Sequence, residues 1–553
     1  MKHKLPRIFL YILGVIFLIN LIQGYFTELI FDEAYYWYYA QNLSWGYFDH
    51  PPMVALLIKT SSLFFEGELG VRFMSAILSV GTIILLWLIV DSRNKTAFIP
   101  HFFVLIFSMT LLNVYGFLTL PDTPLLFFTA LLLFLYKKFL ETPAFLISIA
   151  LGITMAALMY SKYHAALVII LILCSNIKLL SNKYAWIALF VALICYTPHF
   201  IWLYEHDFVS LKYHLFERPN RAYHFEDFTL GYFINLVALF GFTFPWVYWS
   251  LFKTKIEGAF TKAMVFLVYG VLIFFFISSF NRRIQTQWLI VICIPMVILV
   301  YNQMMLNPIV RKWIFRMGLI NITIFIVLRI GLIYEPLFPI VYETHGNKKW
   351  VSEIANQVGN TPVIFENSYR KAPMYSFYSG NISYSLNNIR YRQNQYTIDR
   401  SEQKVQGKRV VYISKYIKDG EVSYSDPKGV IYYGKYMENF ESFRKLRCEI
   451  TDITTNKPGG NLIMEVTNPY NKVIDIEKLG FAVAYLNSFK QVIEIIPIVT
   501  KSITPTNSIA AKNSTNFSFK LPPSKNETPV YFKICISEND LYWGLNGDNI
   551  KLR

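Results

Sequence analysis

Apolar residues run without a charge from Ile8 to about Tyr25, and comparable runs recur near 70–90, 97–115, 124–140, 143–160, 164–180, 184–203, 230–252, 262–280, 287–305 and 313–335. About 20 consecutive apolar residues are what a helix needs to cross a hydrocarbon layer, so the spacing predicts about eleven membrane spans. Met53 to Phe65 is amphipathic and fits a helix lying along the interface before the chain re-enters near Leu69. Basic residues punctuate alternate loops: Lys2, Lys4 and Arg7 before the first run, then Arg93 and Lys95, Lys137 and Lys138, Lys178 and Lys183, Lys253, Lys255 and Lys262, and Arg311, Lys312 and Arg316. By the positive-inside rule those loops are cytoplasmic. The first run shows no small-residue cleavage site and reads as an uncleaved span. An odd number of spans then places everything after about Tyr342 outside.

From Tyr342 the pattern changes to mixed polar sequence with turn signals. Asn347–Val358 and Tyr369–Ser379 read as helices, Pro362–Glu366 and Arg409–Ser414 as strands, which together predict a small α/β lobe over residues 342–428. From Gly429 onward the runs are short and alternating, as in Leu462–Val466, Phe481–Tyr485, Phe517–Phe519 and Val530–Ile534, and favour an antiparallel β-sandwich over 429–553. The expected architecture is a polytopic α-helical membrane domain, residues 1–341, followed by these two extracytoplasmic parts.

Composition narrows the class. Hydrophobic residues make up 54% of the 553 and charged ones only 16%, which excludes an ordinary soluble globule. The net charge of +16 is dispersed between apolar runs and forms no continuous stripe, so no nucleic-acid partner is expected. Five cysteines without CxxC spacing argue against structural zinc. Cys174, Cys195 and Cys293 fall in apolar runs and read as small hydrophobes, whereas an oxidising compartment permits a bridge between Cys448 and Cys535.

The ionisable groups gather on the outer side. Phe31-Asp32-Glu33-Ala34-Tyr35-Tyr36 follows the first span directly, and Tyr47-Phe48-Asp49-His50-Pro51-Pro52 follows shortly after. Arg72 marks a membrane entry, Asp122 lies in Pro121-Asp122-Thr123-Pro124, and Lys162, Tyr163 and His164 end a span. Arg282, Arg283 and Gln287 occupy a later outer loop. Each has a plain structural reading: the acids near Asp32 as a solvated surface helix, Asp122 as a helix cap, Lys162 snorkelling to the interface, Arg72 paired with Glu66 or Glu68. Together they form a carboxylate base beside cations, which is what transfer from a lipid-linked phosphate donor requires. Arg and Lys hold the phosphate by charge-assisted bonds, a neutralised phosphate leaves without a protonated acid, and one base deprotonates the acceptor hydroxyl.

The Asp-Glu pair after the first span, Tyr47–Pro52, the Pro-Asp-Thr-Pro turn, Ser161-Lys162-Tyr163 and Glu205-His206-Asp207-Phe208-Val209-Ser210 together resemble bacterial membrane glycosyltransferases. The branch concerned is that of the protein-mannosyltransferases and aminoarabinose transferases of the GT-C superfamily. The resemblance covers roughly residues 1–300 and extends weakly to Arg392–Tyr396. It implies an inner-membrane enzyme that transfers a sugar, with inversion and no required cofactor, from a polyprenyl-phosphate donor to an envelope glycolipid, glycan or protein. Asp32 is then the base, with Asp122 a second acidic site residue and Glu33 the rival of Asp32. Lys162, Arg282, Arg283, Arg72 and His50 are the donor-phosphate candidates; Asp49, Tyr163, His164 and Gln287 complete the set. Two features depart from the branch. Asp49-His50 stands where aminoarabinose relatives carry an acidic residue followed by Lys, and Gln285-Thr286-Gln287-Trp288 stands where many relatives show an Asn-Trp-Pro-like stretch. Metal use is open, since Asp32, Asp49, Asp122, His50 and His164 are hard ligands without diagnostic spacing. A transporter of lipid-linked sugars and a non-catalytic glycan-binding relative are the alternatives; the absence of paired halves and the one-sided charges weigh against transport.

Overall fold

The computed structural model describes residues 5–92, 94–338, 340–451, 457–526 and 529–552, so that Lys2, Lys4 and Arg93 of the basic loops lie outside the described residues. Among the described residues, eight helices are long and apolar enough to cross a membrane, and three shorter apolar helices accompany them: Lys95–Ser108, Phe145–Ser161 and Ala165–Ser175. These correspond one for one with the expected runs. The protein is a polytopic helical membrane protein with a strand-rich C-terminal region. Thr286–Leu306 is the central segment, with 78% of its span buried, whereas Pro308–Ile333, with 17% buried, turns most of its apolar surface outward. Local chemistry sets the helix ends: Asn307 accepts the N–H groups of Ile309 and Val310 just before Pro308 opens the last span, and Asn182 accepts that of Tyr184.

The chain divides into two compact units, residues 1–207 with 223–347, and residues 208–222 with 348–553. In the first, helices α1 (Arg7–Phe26), α2 (Phe31–Gln41), α3 (Met53–Ser61) and α4 (Gly67–Ile89) carry the first motifs. The short segment 208–222, expected within the membrane domain, belongs to the second unit. Asn220 donates its N–H to Phe489 O at 3.0 Å and accepts from Gln491 Nε2 at 3.0 Å, so its backbone polar groups are satisfied there.

The second unit begins with an α/β lobe. Its sheet, in the order β2-β1-β3-β5-β4, consists of β1 (Val363–Glu366), β2 (Ser383–Leu386), β3 (Val410–Ser414), β4 (Val422–Ser425) and β5 (Ile431–Met437). β1 runs parallel to β2 and β3, while β5 pairs antiparallel with both β3 and β4. The boundary expected at 428/429 is therefore corrected. Ile431–Met437 completes the lobe, because its backbone groups are taken up by Val410–Ser414 and Val422–Ser425.

Two four-stranded antiparallel sheets follow, one centred on Leu479–Leu486 and Tyr531–Glu538, the other on Asn461–Thr467 and Ser514–Lys520. Their alternate residues, including Met464, Val466, Phe481, Phe517, Phe532 and Ile534, form the enclosed core. Glu402 of the lobe accepts from Tyr470 Oη at 2.6 Å and Ser442 Oγ at 2.8 Å, joining lobe to sandwich. Cys448 and Cys535 are free, buried thiols instead of the bridge an oxidising compartment permits. Burial pushes both thiols up, which keeps them protonated and inert.

Candidate active site

Glu33 and Arg72 are both fully buried and joined by two bonds, Arg72 Nε to Glu33 Oε1 at 2.8 Å and Arg72 Nη2 to Glu33 Oε2. Arg72 also donates to the carbonyls of Gly24 at 3.1 Å, Thr27, and Glu28 at 3.0 Å. These contacts occupy the five N–H donors of a guanidinium. Glu33 accepts two further N–H groups, from Ile30 at the start of α2 and from Thr119 at 2.9 Å. The pair thus pins the end of α1, the start of α2, α4 and the turn leading to Asp122. The expected partners of Arg72, Glu66 and Glu68, are not the ones it takes.

Asp32 precedes Glu33 on the first turn of α2 and is half-buried. On a helix, consecutive residues point about 100° apart, so the pinning of Glu33 leaves Asp32 on a different face. Asp32 and Asp122 both lie within electrostatic reach of the Tyr115 hydroxyl, which also hydrogen-bonds Asp122 Oδ2 at 3.5 Å. Asp122 begins the helix Asp122–Glu141 but makes no capping bond with it. Its Oδ1 accepts instead from Lys162 Nζ at 2.7 Å, and both side chains are buried. Neither the cap nor the snorkel describes these two residues. They are a desolvated ion pair, where a hydrogen bond to a charged group is worth about 1.5–3 kcal/mol.

The remaining candidates take other partners. Asp49 is buried and accepts from Tyr35 Oη at 2.9 Å and Tyr39 Oη at 3.3 Å. His50 packs edge-on against Tyr36 with ring centroids 5.6 Å apart, and Tyr36 lies one helical turn beyond Asp32. Tyr163 Oη meets His199 Nε2 at 3.2 Å, and His199 Nδ1 meets the carbonyl of Trp45 at 2.7 Å, which ties the loop after α2 to the end of the Phe145–Ser161 helix. His164 packs on Trp288 at 5.7 Å, bringing the Lys162 turn beside the Gln285–Trp288 segment. Gln287 donates to Gln285 at 3.1 Å; Arg282 is half-buried and Arg283 exposed in the same loop. Among the described residues, no three His, Cys, Asp or Glu side chains converge as a metal site.

Residues 49–202, which include Asp49, His50, Arg72, Asp122, Lys162, Tyr163 and His164, match the family described as dolichyl-phosphate-mannose-protein mannosyltransferase. The crystal structure of ArnT from Cupriavidus metallidurans bound to undecaprenyl phosphate superposes with a TM-score of 0.51 at 12% identity, covering 73% of this chain and 92% of that one. Over residues 49–202 the chain is thus similar to that family, and the superposition shows a shared fold. The lipid A galacturonosyltransferase RgtD of Rhizobium johnstonii is 23% identical over 201 residues, and the chain spans 41% of that relative's length.

The sequence motifs leave out Tyr115 and His199. Both sit in apolar runs with no flanking motif, and only their hydrogen bonds to Asp122 and Tyr163 mark them. A second unflagged group is Arg329, near the end of the last span. It donates to Asn20 Oδ1 at 2.7 Å and lies over the Phe117 ring at 4.5 Å. Its signal in the sequence is simply an arginine inside an apolar run.

Proposed function

We propose that the protein is an integral-membrane glycosyltransferase that moves a sugar from a polyprenyl-phosphate donor to a hydroxyl or phosphate acceptor on an envelope glycolipid, glycan or protein. The acceptor atom attacks the anomeric carbon as the bond to phosphate breaks, with inversion. The acceptor proton passes to Asp32, and the lipid phosphate departs with the bonding electrons. The observation that carries this reading is the grouping of Asp32, Tyr115, Asp122 and Lys162: a half-buried carboxylate and a buried, charge-paired one both within electrostatic reach of the Tyr115 hydroxyl.

In this reading Asp32 is the base because it is the accessible carboxylate of the pair, Glu33 being consumed by Arg72. Arg72 and Glu33 are framework, and donor phosphate falls to Arg282, Arg283 and His50, with Lys162 poised between the phosphate and Asp122. Asp122 orients Lys162, and the cations neutralise the departing phosphate without a metal. Asp49, Tyr163, His164 and Gln287 shape the surrounding walls. The site opens to the extracytoplasmic side of the inner membrane. The test is transfer by the purified, detergent-solubilised chain from radiolabelled polyprenyl-phosphate sugars to an envelope extract. Labelled product with the parental chain and about 10²–10⁴-fold slower labelling with Asp32→Asn is expected; equal labelling with both overturns the assignment.

A further inference from the structure

The α/β lobe encloses a cavity of about 350 Å³ that the proposed transfer does not use. Its place follows from the topology. The chain leaves β1 through the Lys371–Ser379 helix to reach β2 on one side, then passes back to β3 on the other side of β1. The segments that follow β1 and β3 therefore run to opposite sides, and the cavity opens beyond the paired strand ends, where Glu366 and Ser414 line it. A crevice at such a switch point is the usual ligand site of an open α/β sheet. Its volume is at the lower end of the range for small-molecule sites, about 300–1,000 Å³.

The lining is specific in chemistry. Glu366 is held in place by Asn388 Nδ2 at 2.8 Å and by Ser414 Oγ, which leaves acceptor capacity on its carboxylate. Tyr424 and Tyr432 face each other across β4 and β5 with stacked rings 5.3 Å apart. Lys371 lies over them, its Nζ 3.4 Å from the Tyr432 centroid and 2.8 Å from Tyr424 Oη. Burial brings the Lys371 ammonium down to about 8, only partly opposed by Asp426. Arg390 stands exposed at the mouth, positioned by Tyr542 Oη at 3.1 Å. With Lys415, three cations face the single carboxylate of Glu366. Flat aromatic faces, hydroxyl-binding groups and excess positive charge in a small crevice suit a sugar ring that carries an anion.

The geometry points to a second, non-catalytic site at the C-terminal ends of β1 and β3 that binds an anionic saccharide, a pyranose bearing a carboxylate or a phosphate ester. Lys371 and Arg390 bind the anion, Glu366 accepts from ring hydroxyls, and Tyr416 and Tyr391 close on the sugar face. The site lies wholly within the second unit and is independent of the Asp32 assignment.

The test uses the full-length protein in detergent with four probes, glucuronate, glucose 6-phosphate, glucose and inorganic phosphate, observed by saturation-transfer NMR and titration calorimetry. The two anionic sugars are expected to bind at least about tenfold more tightly than glucose, the step that one charge-assisted bond provides. Lys371→Met and Arg390→Gln are each expected to remove about that factor for the anionic sugars and to leave glucose unchanged. Arg390 is exposed, so its variant reads binding even where Lys371→Met disturbs folding. Parental affinity for the anionic sugars in Arg390→Gln, glucose bound as tightly as glucuronate, or phosphate bound as tightly as glucuronate overturns the proposal.

Discussion

Arg72 holds Glu33 through two bonds, Nε to Oε1 at 2.8 Å and Nη2 to Oε2, and this pair separates two carboxylates that are neighbours in the chain. Glu33 is locked inside while Asp32 stays half-accessible. Removing one member of a buried pair leaves an uncompensated charge and costs about 3–5 kcal/mol. Glu33→Leu and Arg72→Met are each expected to lower the melting temperature and the yield sharply, and the double variant to recover part of both. Single variants that melt like the parent but lose donor affinity would return Arg72 to the phosphate site.

Asp32→Asn preserves shape and removes the base. Transfer is expected to fall by about 10²–10⁴, the usual contribution of a positioned general base, with the melting temperature unchanged. If the purified variant keeps the parental rate while Asp122→Asn does not, Asp122 is the base.

Lys162 and the loop arginines are distinguishable by what else their loss disturbs. Arg283 is exposed and Arg282 half-buried, so Arg282→Gln and Arg283→Gln are expected to raise the apparent donor KM about tenfold, one charge-assisted contact each, while melting as the parent does. Lys162→Met strands the buried Asp122 carboxylate and is expected to lower both activity and melting temperature. Unchanged donor KM in both arginine variants removes that loop from the site.

The loop charges predict which side each segment faces. In a cysteine-free background, single cysteines at Ser44 and Ser425 are expected to react with an impermeant maleimide in intact cells, and one at Ser92 only after lysis. Protection at both outer positions inverts the topology.

The second unit carries a pH-sensitive contact at Glu441. Burial raises this carboxyl, but hydrogen bonds from Lys472 at 2.7 Å and Lys478 at 2.9 Å outweigh it and bring it down to about 2. A depressed folded value means the stabilisation is complete above the unfolded value of about 4.3 and is lost as pH falls toward 2. Glu441→Gln is expected to be less stable than the parent at pH 6, with the gap in melting temperature closing below about pH 4. A gap independent of pH would assign the loss to packing.

The sequence by itself determined what depends on local pattern. Apolar runs long enough to span a membrane, alternate basic loops, and the switch near Tyr342 from long helices to short strands are each set by transfer free energy or by period, and neither needs a distant partner. The candidate centre was legible as a set of residue types at one side, because a charge beside an apolar span is costly wherever the helix packs. What only tertiary structure decided is which charge meets which. Arg72 takes Glu33, 39 residues away, and Lys162 takes Asp122, 40 residues away, in place of the nearer acids or the solvent. Helix packing chooses the partner of a desolvated charge, and no spacing rule reaches that far. Strand pairing is equally non-local: Ile431–Met437 joins the α/β lobe because β3 and β4 supply its hydrogen bonds, and residues 208–222 join the second unit because Phe489 and Gln491 satisfy Asn220. A buried backbone group goes where its partner is, and that partner is fixed only when the chain has folded.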